Sequence, residues 1–238
     1  MTSLNPVFTV GNQLREAIEL HTDRKGKEAE ARAIEMLTLV GVNEPEKRVK
    51  QYPYELSGGM RQRVMIAMAL ACEPDILIAD EPTTALDVTI QAQILELMQS
   101  LQKKLGMAII MVTHDLGVIA DMCDEIIVMY GGRVCERGTA EDIFYRPHHE
   151  YTKGLLRSIP NVDRIGEKLI PIPGTPPDLL KLNSGCAFMP RCSKAMKICK
   201  DYMPCRTQFS EDQYCSCWEY CKDSADKIVQ EQSVAVNG

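Results

Sequence analysis

Several features are missing from this sequence of 238 residues, and each absence argues against a class of protein. No stretch approaches about 18 consecutive apolar residues, so the sequence predicts no transmembrane helix. No tract rich in Lys and Arg occurs and the net charge is −6, which argues against a dedicated nucleic-acid-binding protein. The first residues lack the basic start and apolar middle of a secretory signal, so we expect a cytosolic chain without structural disulfides.

The composition is that of an ordinary globular protein, with 45% hydrophobic and 25% charged residues, and the length suits one or two domains. Its ten cysteines are unevenly spread. Most of them crowd the last quarter of the chain, at Cys186, Cys192, Cys199, Cys205, Cys215, Cys217 and Cys221. Thiols clustered in a reducing compartment indicate metal binding before disulfides.

Patterns typical of helices and strands alternate through the first 136 residues. Apolar residues at helical spacing predict helices over about 11–40, 60–72 and 88–104. Apolar runs predict strands over 75–80, which we expect to be buried, and over 108–112, 126–130 and 133–136. The last two flank Gly131-Gly132, which is typical of a hairpin. The alternation favours an α/β fold with a mostly parallel sheet.

The character of the sequence changes near Pro147. Five prolines between residues 160 and 177 are incompatible with regular helix or a central strand, so we expect an extended linker there. The Cys-rich segment and a polar end follow. The chain is therefore divided into three predicted parts, namely 1–72 (helical), 73–146 (the rest of an α/β core) and 147–238 (linker and Cys-rich extension).

The run Leu56-Ser57-Gly58-Gly59-Met60-Arg61-Gln62-Arg63 precedes a predicted helix. Glycines at a helix start let backbone N–H groups approach an anion, and the helix dipole favours negative charge there. A serine beside them can donate to a phosphate oxygen. A simple turn with an N-cap explains Ser-Gly-Gly alone, but the longer run favours a phosphate-binding function.

Acidic residues and a histidine follow two of the predicted strands. Asp80 ends the first strand, where it can hold Mg²⁺, and Glu81 comes next, where it can act as a general base for an attacking water. His114 follows the second strand and is a candidate sensor of a terminal phosphate. In a parallel sheet, chemistry collects at the carboxyl ends of strands, so we expect these side chains at one edge.

These motifs, in this order, resemble those of ATP-binding-cassette (ABC) subunits. Leu56 to Gln62 is similar to the family signature, Ile76 to Glu81 to the Walker B strand, Ala85-Leu86-Asp87 to the D-loop and His114 to the switch histidine. The resemblance implies an incomplete ABC-type nucleotide-binding domain, with a helical subdomain, part of a P-loop-NTPase-like sheet and a Cys-rich extension. It also implies ATP and Mg²⁺ as ligands, with Ser57, Gly58, Gly59, Gln62, Asp80 and Asp87 at the nucleotide site and Glu81 and His114 as catalytic residues.

Four further segments narrow the resemblance to the ATP-binding subunits of oligopeptide and dipeptide importers. They are Thr2 to Pro6, Arg146 to Thr152, Ile172 to Pro177 and Gly185 to Cys192. The resemblance implies a peripheral protein on the cytoplasmic face of the membrane, with a second ATP-binding subunit and two permeases as partners. Region 1–72 would dock the permeases. Nickel and other solutes remain alternatives to peptides.

The phosphate-binding loop G-x-x-x-x-G-K-[ST] occurs nowhere in the 238 residues. In the family, the segment that resembles Thr2 to Pro6 follows that loop, so we expect a chain truncated at its N-terminus. Backbone N–H groups and a lysine of the loop supply most β- and γ-phosphate contacts. We therefore expect no appreciable ATP hydrolysis by the isolated chain, exposed apolar sheet surface, and, as an alternative function, a non-catalytic subunit that lends its signature motif to an intact partner.

Four of the clustered cysteines, Cys186, Cys192, Cys199 and Cys217, have the spacing C-x5-C-x6-C-x17-C. This spacing differs from the C-x2-C pairs of zinc ribbons. Four thiolates also hold [4Fe–4S] clusters, whose ligand spacing varies more widely. The importer family's C-terminal extension resembles this pattern, and the resemblance implies a structural [4Fe–4S] cluster on these four residues. Zinc is the alternative, and Cys215 competes with Cys217 as fourth ligand.

Overall fold

The computed structural model describes residues 4–84, 86–159 and 170–221. It divides into two compact units, residues 1–115 and 116–238. The predicted boundaries at 72 and 146 each fall inside one of these units and stay predictions. The predicted polar end lies outside the described residues, and so does part of the proline-rich linker.

The first unit begins with a group of packed helices. They are α1 (Val10–His21), α2 (Lys27–Leu39), α3 (Pro45–Arg48) and α4 (Gly58–Leu70), with a 3-10 turn at Pro53–Glu55. Helices α1, α2 and α4 pack against one another, and Leu14, Ile18, Leu37, Val64 and Leu70 are buried. Gly26 separates α1 from α2 with a positive φ of 53°, which explains why the predicted helical stretch 11–40 is two helices.

The rest of the first unit is a small parallel sheet and a long helix. Strand β1 (Ile76–Asp80) leads to helix α5 (Val88–Leu105), which returns to strand β2 (Ala108–Val112). The two strands pair in parallel, with Ile76 opposite Ala108 and Asp80 opposite Val112. Both strands therefore end at the same edge, as the sequence predicted.

One face of this sheet is bare, so the prediction that β1 is buried was wrong. Ile76, Ile78, Ile110 and Val112 are each 50% exposed or more, whereas Leu77 on the opposite face is 8% exposed. The apolar surface matches what we expected of a sheet in which no phosphate-loop strand and helix take part.

The second unit is built on an antiparallel sheet, whereas the sequence predicted a mostly parallel one. Its strands, in the order β3-β4-β6-β5, are β3 (Glu125–Tyr130), β4 (Arg133–Thr139), β6 (Tyr214–Ser216) and β5 (Arg206–Gln208). The predicted hairpin is confirmed, since β3 and β4 pair antiparallel around Gly131 and Gly132, both with positive φ. Strands β5 and β6 lie in the Cys-rich segment and were not predicted.

Helices and turns complete the second unit. They are α6 (Leu116–Met122), α7 (Ala140–Tyr145), α8 (Glu150–Arg157) and 3-10 turns at Leu179–Lys181, Met189–Arg191 and Lys197–Lys200. Helix α8 lies in the predicted part 147–238, ahead of the prolines on which the expected linker rests, and was not predicted. No helix in the described ranges combines the length and apolarity needed to cross a membrane.

Candidate functional site

The two acidic residues after β1 lie in different environments. Asp80 is exposed, and in the described part of the chain its carboxylate makes no hydrogen bond or ion pair. Its oxygens are therefore free for a hard cation such as Mg²⁺. Glu81 has φ of 47°, and its backbone N–H donates to the carbonyl of Val112 on β2 at 2.8 Å. A positive φ at a residue other than glycine is strained, and such strain clusters at functional sites.

The Glu81 carboxylate is held by two side chains. Its Oε1 lies 2.7 Å from Nδ1 of His114, and its Oε2 accepts a hydrogen bond from the Thr84 hydroxyl at 2.8 Å. The hydrogen bond to Glu81 raises the pKa of His114, and the bonds from His114 and Thr84 lower the pKa of Glu81. The structure therefore brings together Glu81 and His114, which the sequence predicted to lie at one edge of the sheet. The lowered pKa of Glu81 favours its ionised form, which is the form that a general base requires.

Thr84 was missed as a site residue by sequence reasoning. It belongs to the run Pro82-Thr83-Thr84 that follows the acidic pair, so a signal was present. Its contact with Glu81 depends on the sharp turn that begins at the positive φ of Glu81, with the Thr84 N–H donating to the Glu81 carbonyl at 3.2 Å.

The Ser-Gly-Gly run forms the start of α4. Ser57 is the N-cap, and its side chain accepts from the Met60 N–H at 3.3 Å. Gly58 and Gly59 are the first helical residues, and Gln62 is 9% exposed. The structure therefore shows Ser57 as the cap of this helix. Ser57 is also exposed, and the binding of an anion at this helix start stays a prediction.

Gly59 also brings two helix starts together. A Cβ at Gly59 would lie 2.9 Å from Cγ2 of Ile90, so only glycine allows α4 to approach α5 this closely. Ile90 in turn donates its N–H to the side chain of Asp87, the exposed N-cap of α5, at 3.0 Å. The Gly-rich run and Asp87 are thus neighbours at one end of two helices.

The second unit contains a small cavity of about 20 Å³, which is room for roughly one water molecule. All four predicted thiol ligands, Cys186, Cys192, Cys199 and Cys217, line it. None of the ten cysteines is in a disulfide. In the part of the chain that is described, however, no group of three or more His, Cys, Asp or Glu residues is positioned to hold a metal ion as it stands.

The sulfur of Cys199 accepts a hydrogen bond from the backbone N–H of Met196 at 3.4 Å. The backbones of Phe188, Lys194 and Glu219 act to lower the pKa of Cys186, Cys192 and Cys217, respectively, against the larger effect of burial. Burial raises the pKa of Cys186 and Cys192, and raises that of Cys217 to about 11. The thiols of Cys186, Cys192 and Cys217 are therefore protonated at neutral pH unless a cation binds them.

Charged and aromatic side chains surround the cavity. Glu150, 9% exposed, pairs with Lys153 at 3.0 Å and with Lys194 at 3.3 Å. Trp218, 1% exposed, donates its indole N–H to the carbonyl of Tyr202 at 2.8 Å. The pair of Lys194 with Glu150 ties the Cys-rich segment to the start of α8.

His149 also lines the cavity, and sequence reasoning did not select it. It lies inside the segment Arg146 to Thr152, which carried the family resemblance, but a lone histidine there gave no sign of a role. Burial lowers the pKa of His149 to about 4, so its ring is neutral at physiological pH.

Comparison with known proteins gives the class to which these sites belong. The family described as "ABC transporter" matches residues 2–84, which include Ser57 and Glu81. The family described as "Oligopeptide/dipeptide transporter, C-terminal region" matches residues 135–199, which include three of the four cysteines around the cavity. The chain belongs to the ABC transporter ATP-binding proteins and carries the C-terminal region of the oligopeptide/dipeptide group.

Individual relatives of this chain are ATP-binding proteins of peptide transport. The dipeptide transport ATP-binding protein DppD of Bacillus subtilis is 55% identical over 92% of this chain and 65% of its own length. The oligopeptide transport ATP-binding protein OppD of Haemophilus influenzae is 53% identical over 92% of this chain and 67% of its own length. The chain thus spans about two thirds of the length of these relatives.

A solved structure shares the fold of part of the chain. It is a dimeric, post-hydrolysis state of the ATP-binding cassette MJ0796 bound to ADP and Pi, 32% identical, with a TM-score of 0.50 over 58% of this chain and 59% of that one. The predicted α/β cassette fold is confirmed by this likeness.

Proposed function

We propose that this chain acts in the ATP-binding subunit of a peptide ABC importer, at the cytoplasmic face of the membrane beneath two permeases. The names of the relatives support peptide as the solute, and nickel or another solute is the alternative. The observation that carries the proposal is the contact of 2.7 Å between Glu81 and His114 at the end of two parallel strands.

Each site residue then has a role in ATP chemistry. Glu81, ionised and held by Thr84, orients and deprotonates the attacking water, and His114 contacts the terminal phosphate or that water. Asp80 supplies an oxygen ligand for Mg²⁺, which neutralises phosphate charge when bound. Ser57, Gly58 and Gly59, with Gln62 behind them, face a nucleotide held by a second ATP-binding subunit, and Asp87 lies at the same contact. The dimeric structure of the related cassette supports such a pairing.

A second candidate function is that of lending the signature motif to a partner that holds the ATP, and the exposed Ser57 at the start of α4 favours it. Both functions predict that the purified 238-residue chain alone hydrolyses no ATP above background. Normal family activity from that preparation would contradict this expectation.

Mixing this chain with an intact ATP-binding subunit tests the role of Ser57. An intact ABC ATP-binding subunit of a peptide importer, with its own general-base Glu replaced by Gln so that it binds ATP without hydrolysing it, is titrated with this chain, and the labelled ATP that the partner retains is measured by filter binding. The lending function predicts that wild-type chain increases nucleotide retention by the partner and that Ser57→Arg abolishes the increase. The matched control is Ser100→Arg, the same substitution at an exposed serine on α5. Equal retention with wild type and Ser57→Arg would contradict the proposed role of the signature.

We propose further that Cys186, Cys192, Cys199 and Cys217 hold a [4Fe–4S] cluster with a structural role, zinc being the alternative. Support comes from the donor set, the shared cavity and the backbone N–H of Met196 that donates to the sulfur of Cys199, as such groups do around metal-bound thiolates. The sulfurs must draw closer than they lie here, since no group is yet arranged as a metal site in the described residues.

Visible absorbance tests this assignment. The wild-type chain, purified without oxygen, is expected to show a broad iron–sulfur charge-transfer band that Cys192→Ser removes. Cys72→Ser, far from the cavity in sequence and in the first unit, is the control and should keep the band. If the wild-type chain showed no such band and contained one zinc ion, the four cysteines would be assigned to zinc instead of to the cluster.

A further inference from the structure

A cavity of about 430 Å³ lies in the first unit, at the opposite end of the parallel sheet from the candidate ATP residues. Its lining includes Asp75, which precedes β1, and Met107, which precedes β2. Glu81 and His114 follow the same two strands. Each strand is five residues long, which separates its ends by about 17 Å. The cavity is therefore distinct from the candidate ATP site.

Apolar side chains make up half of the lining of this cavity. They come from α2, from the ends of α4 and α5 and from the segments before the two strands, and they are Met36, Leu39, Leu70, Pro74, Leu105 and Met107. Cavities of about 300–1,000 Å³ with apolar walls and a few polar groups are typical of sites for small molecules. This cavity therefore has the size and the wall chemistry of such a site.

Five charged residues complete the lining together with Gly106, and three of the five pair with one another. Arg32 lies 2.9 Å from the carboxylate of Glu35 and 3.0 Å from that of Glu73. Asp75 and Lys104 are exposed, and in the described part of the chain neither side chain makes a hydrogen bond or an ion pair. The cavity therefore presents one free carboxylate and one free ammonium beside an apolar wall.

Two features of this lining cost stability. The Nε–H of Arg32 is buried and has no hydrogen-bond partner among the residues that the structure describes. Glu73 has a φ of 53°, a conformation that favours glycine. Buried donors without an acceptor are few in folded proteins, and backbone strain of this kind clusters at functional sites. Both features therefore support a binding function for this wall.

We propose that this cavity binds a small zwitterion with an apolar side chain, either a free amino acid or a dipeptide. The ammonium of the ligand pairs with Asp75, its carboxylate pairs with Lys104, and its side chain lies against the apolar wall. Charge-assisted hydrogen bonds are stronger than neutral ones, and removal of the apolar side chain from water adds to the affinity. Binding at this cavity does not depend on the proposed function, because it uses none of the candidate ATP residues.

Isothermal titration calorimetry of the 238-residue chain with leucyl-leucine tests this site. We expect a Kd of about 0.1–1 mM, at the affinity per atom typical of small ligands. Two ligands should each bind about tenfold more weakly, namely glycylglycine, which lacks the apolar side chains, and N-acetyl-leucyl-leucine amide, which lacks both charges. Leucine is titrated in parallel, and the tighter of leucine and leucyl-leucine identifies amino acid or dipeptide as the occupant.

Two variants assign the charges of the ligand to residues. Asp75→Asn should raise the Kd of leucyl-leucine about tenfold and leave that of N-acetyl-leucyl-leucine unchanged, because the acetylated ligand has no ammonium. Lys104→Met should raise the Kd of leucyl-leucine similarly and leave that of leucyl-leucine amide unchanged, because the amide has no carboxylate. Lys103→Met is the matched control, since Lys103 is exposed on the same helix but does not line the cavity.

Three results would overturn the proposal. The first is that the wild-type chain binds neither leucine nor leucyl-leucine. The second is that glycylglycine or the doubly blocked dipeptide binds as tightly as leucyl-leucine, and equal binding of the blocked form would indicate a purely apolar contact such as that of a protein segment. The third is that Lys103→Met weakens binding as much as Lys104→Met does, or that the losses in Asp75→Asn and Lys104→Met persist with the blocked ligands.

Discussion

The two sheets of this protein differ in how much of their apolar surface is covered. In the first unit, β1 and β2 form a pair with only Leu77 buried, whereas Ile78 is 68% exposed. In the second unit, Ile126, Val128 and Tyr130 on β3 are all buried. An apolar strand pattern therefore predicts a strand reliably, but the coverage of its faces depends on which other segments pack there.

The covering segments of the second sheet come from its own unit. Phe188 packs with Tyr130 and Cys135, and Ile143 of α7 packs with Ile126 and Val128. The same segments carry the cysteines and His149, so the fold of this unit and its candidate site depend on the same contacts. In the first unit, Glu81 and His114 lie at an open edge, which suits a site completed by a nucleotide and a second chain.

The largest effect is expected at Trp218, the bulkiest of the fully buried side chains in the Cys-rich segment. Trp218→Ala removes a side chain that is 1% exposed, together with its hydrogen bond to Tyr202. Such truncations cost about 3–5 kcal/mol of the free energy of unfolding. Urea denaturation followed by circular dichroism measures the loss. Tyr145→Ala, 82% exposed, is the control, and similar losses in both variants would contradict the described core.

Part of this architecture followed from sequence because local signals determined it. Gly131-Gly132 fixed the hairpin, and Asp87 and Ser57 lie at helix N-caps as their residue types favour. The antiparallel pairing of β4 with β6 escaped prediction because Glu136 and Cys215 are opposite each other across 79 residues of sequence, and no local pattern encodes such a contact. Strand β6 is only three residues long, too short for a periodic signal.

The candidate sites were predictable to different degrees. Glu81 and His114 were found because strand ends in a parallel pair must meet, and the family resemblance assigned their roles. Thr84 and His149 were missed because their contacts depend on a turn with positive φ at Glu81 and on the burial of a ring against Phe188. Neither condition is visible in a string of residue types.

The two faces of β1 give a second, smaller contrast. Leu77→Ala, at a position 8% exposed, is expected to cost about 2–3 kcal/mol, because a buried cavity is left behind. Ile78→Ala, at a position 68% exposed, is expected to change stability by less than about 0.5 kcal/mol. Urea midpoints of the two variants measure the difference. Equal losses would mean that the face with Ile78 is covered in solution.

The smallest effect concerns the pair of Glu81 and His114 and is read by titration. Glu81 raises the pKa of His114, and His114 lowers the pKa of Glu81. Both groups are therefore charged at pH values between the two pKa values. The charged pair is lost as pH falls through the lowered pKa of Glu81, and lost as pH rises through the raised pKa of His114. Both groups are exposed enough for solvent to screen the pair, so its contribution to stability is small.

Histidine ring resonances in nuclear magnetic resonance spectra follow this pair directly. In Glu81→Gln, the His114 titration midpoint is expected to fall, because the charge and the strong acceptor are gone. Thr84→Val removes only the hydroxyl that binds Glu81 Oε2 and should leave that midpoint nearly unchanged. An unchanged His114 midpoint in Glu81→Gln would mean that the contact of 2.7 Å does not persist in solution.

The close approach of Gly59 to Ile90 has a mechanical consequence. Because no space separates the starts of the two helices, a movement of α4 toward α5 must displace α5 as well. A displacement of the start of α4 at Ser57 is therefore passed to Asp87 through the Cγ2 methyl group of Ile90. Adding a single carbon at Gly59 would force α4 and α5 apart, and it would change the position of Ser57 relative to Asp87.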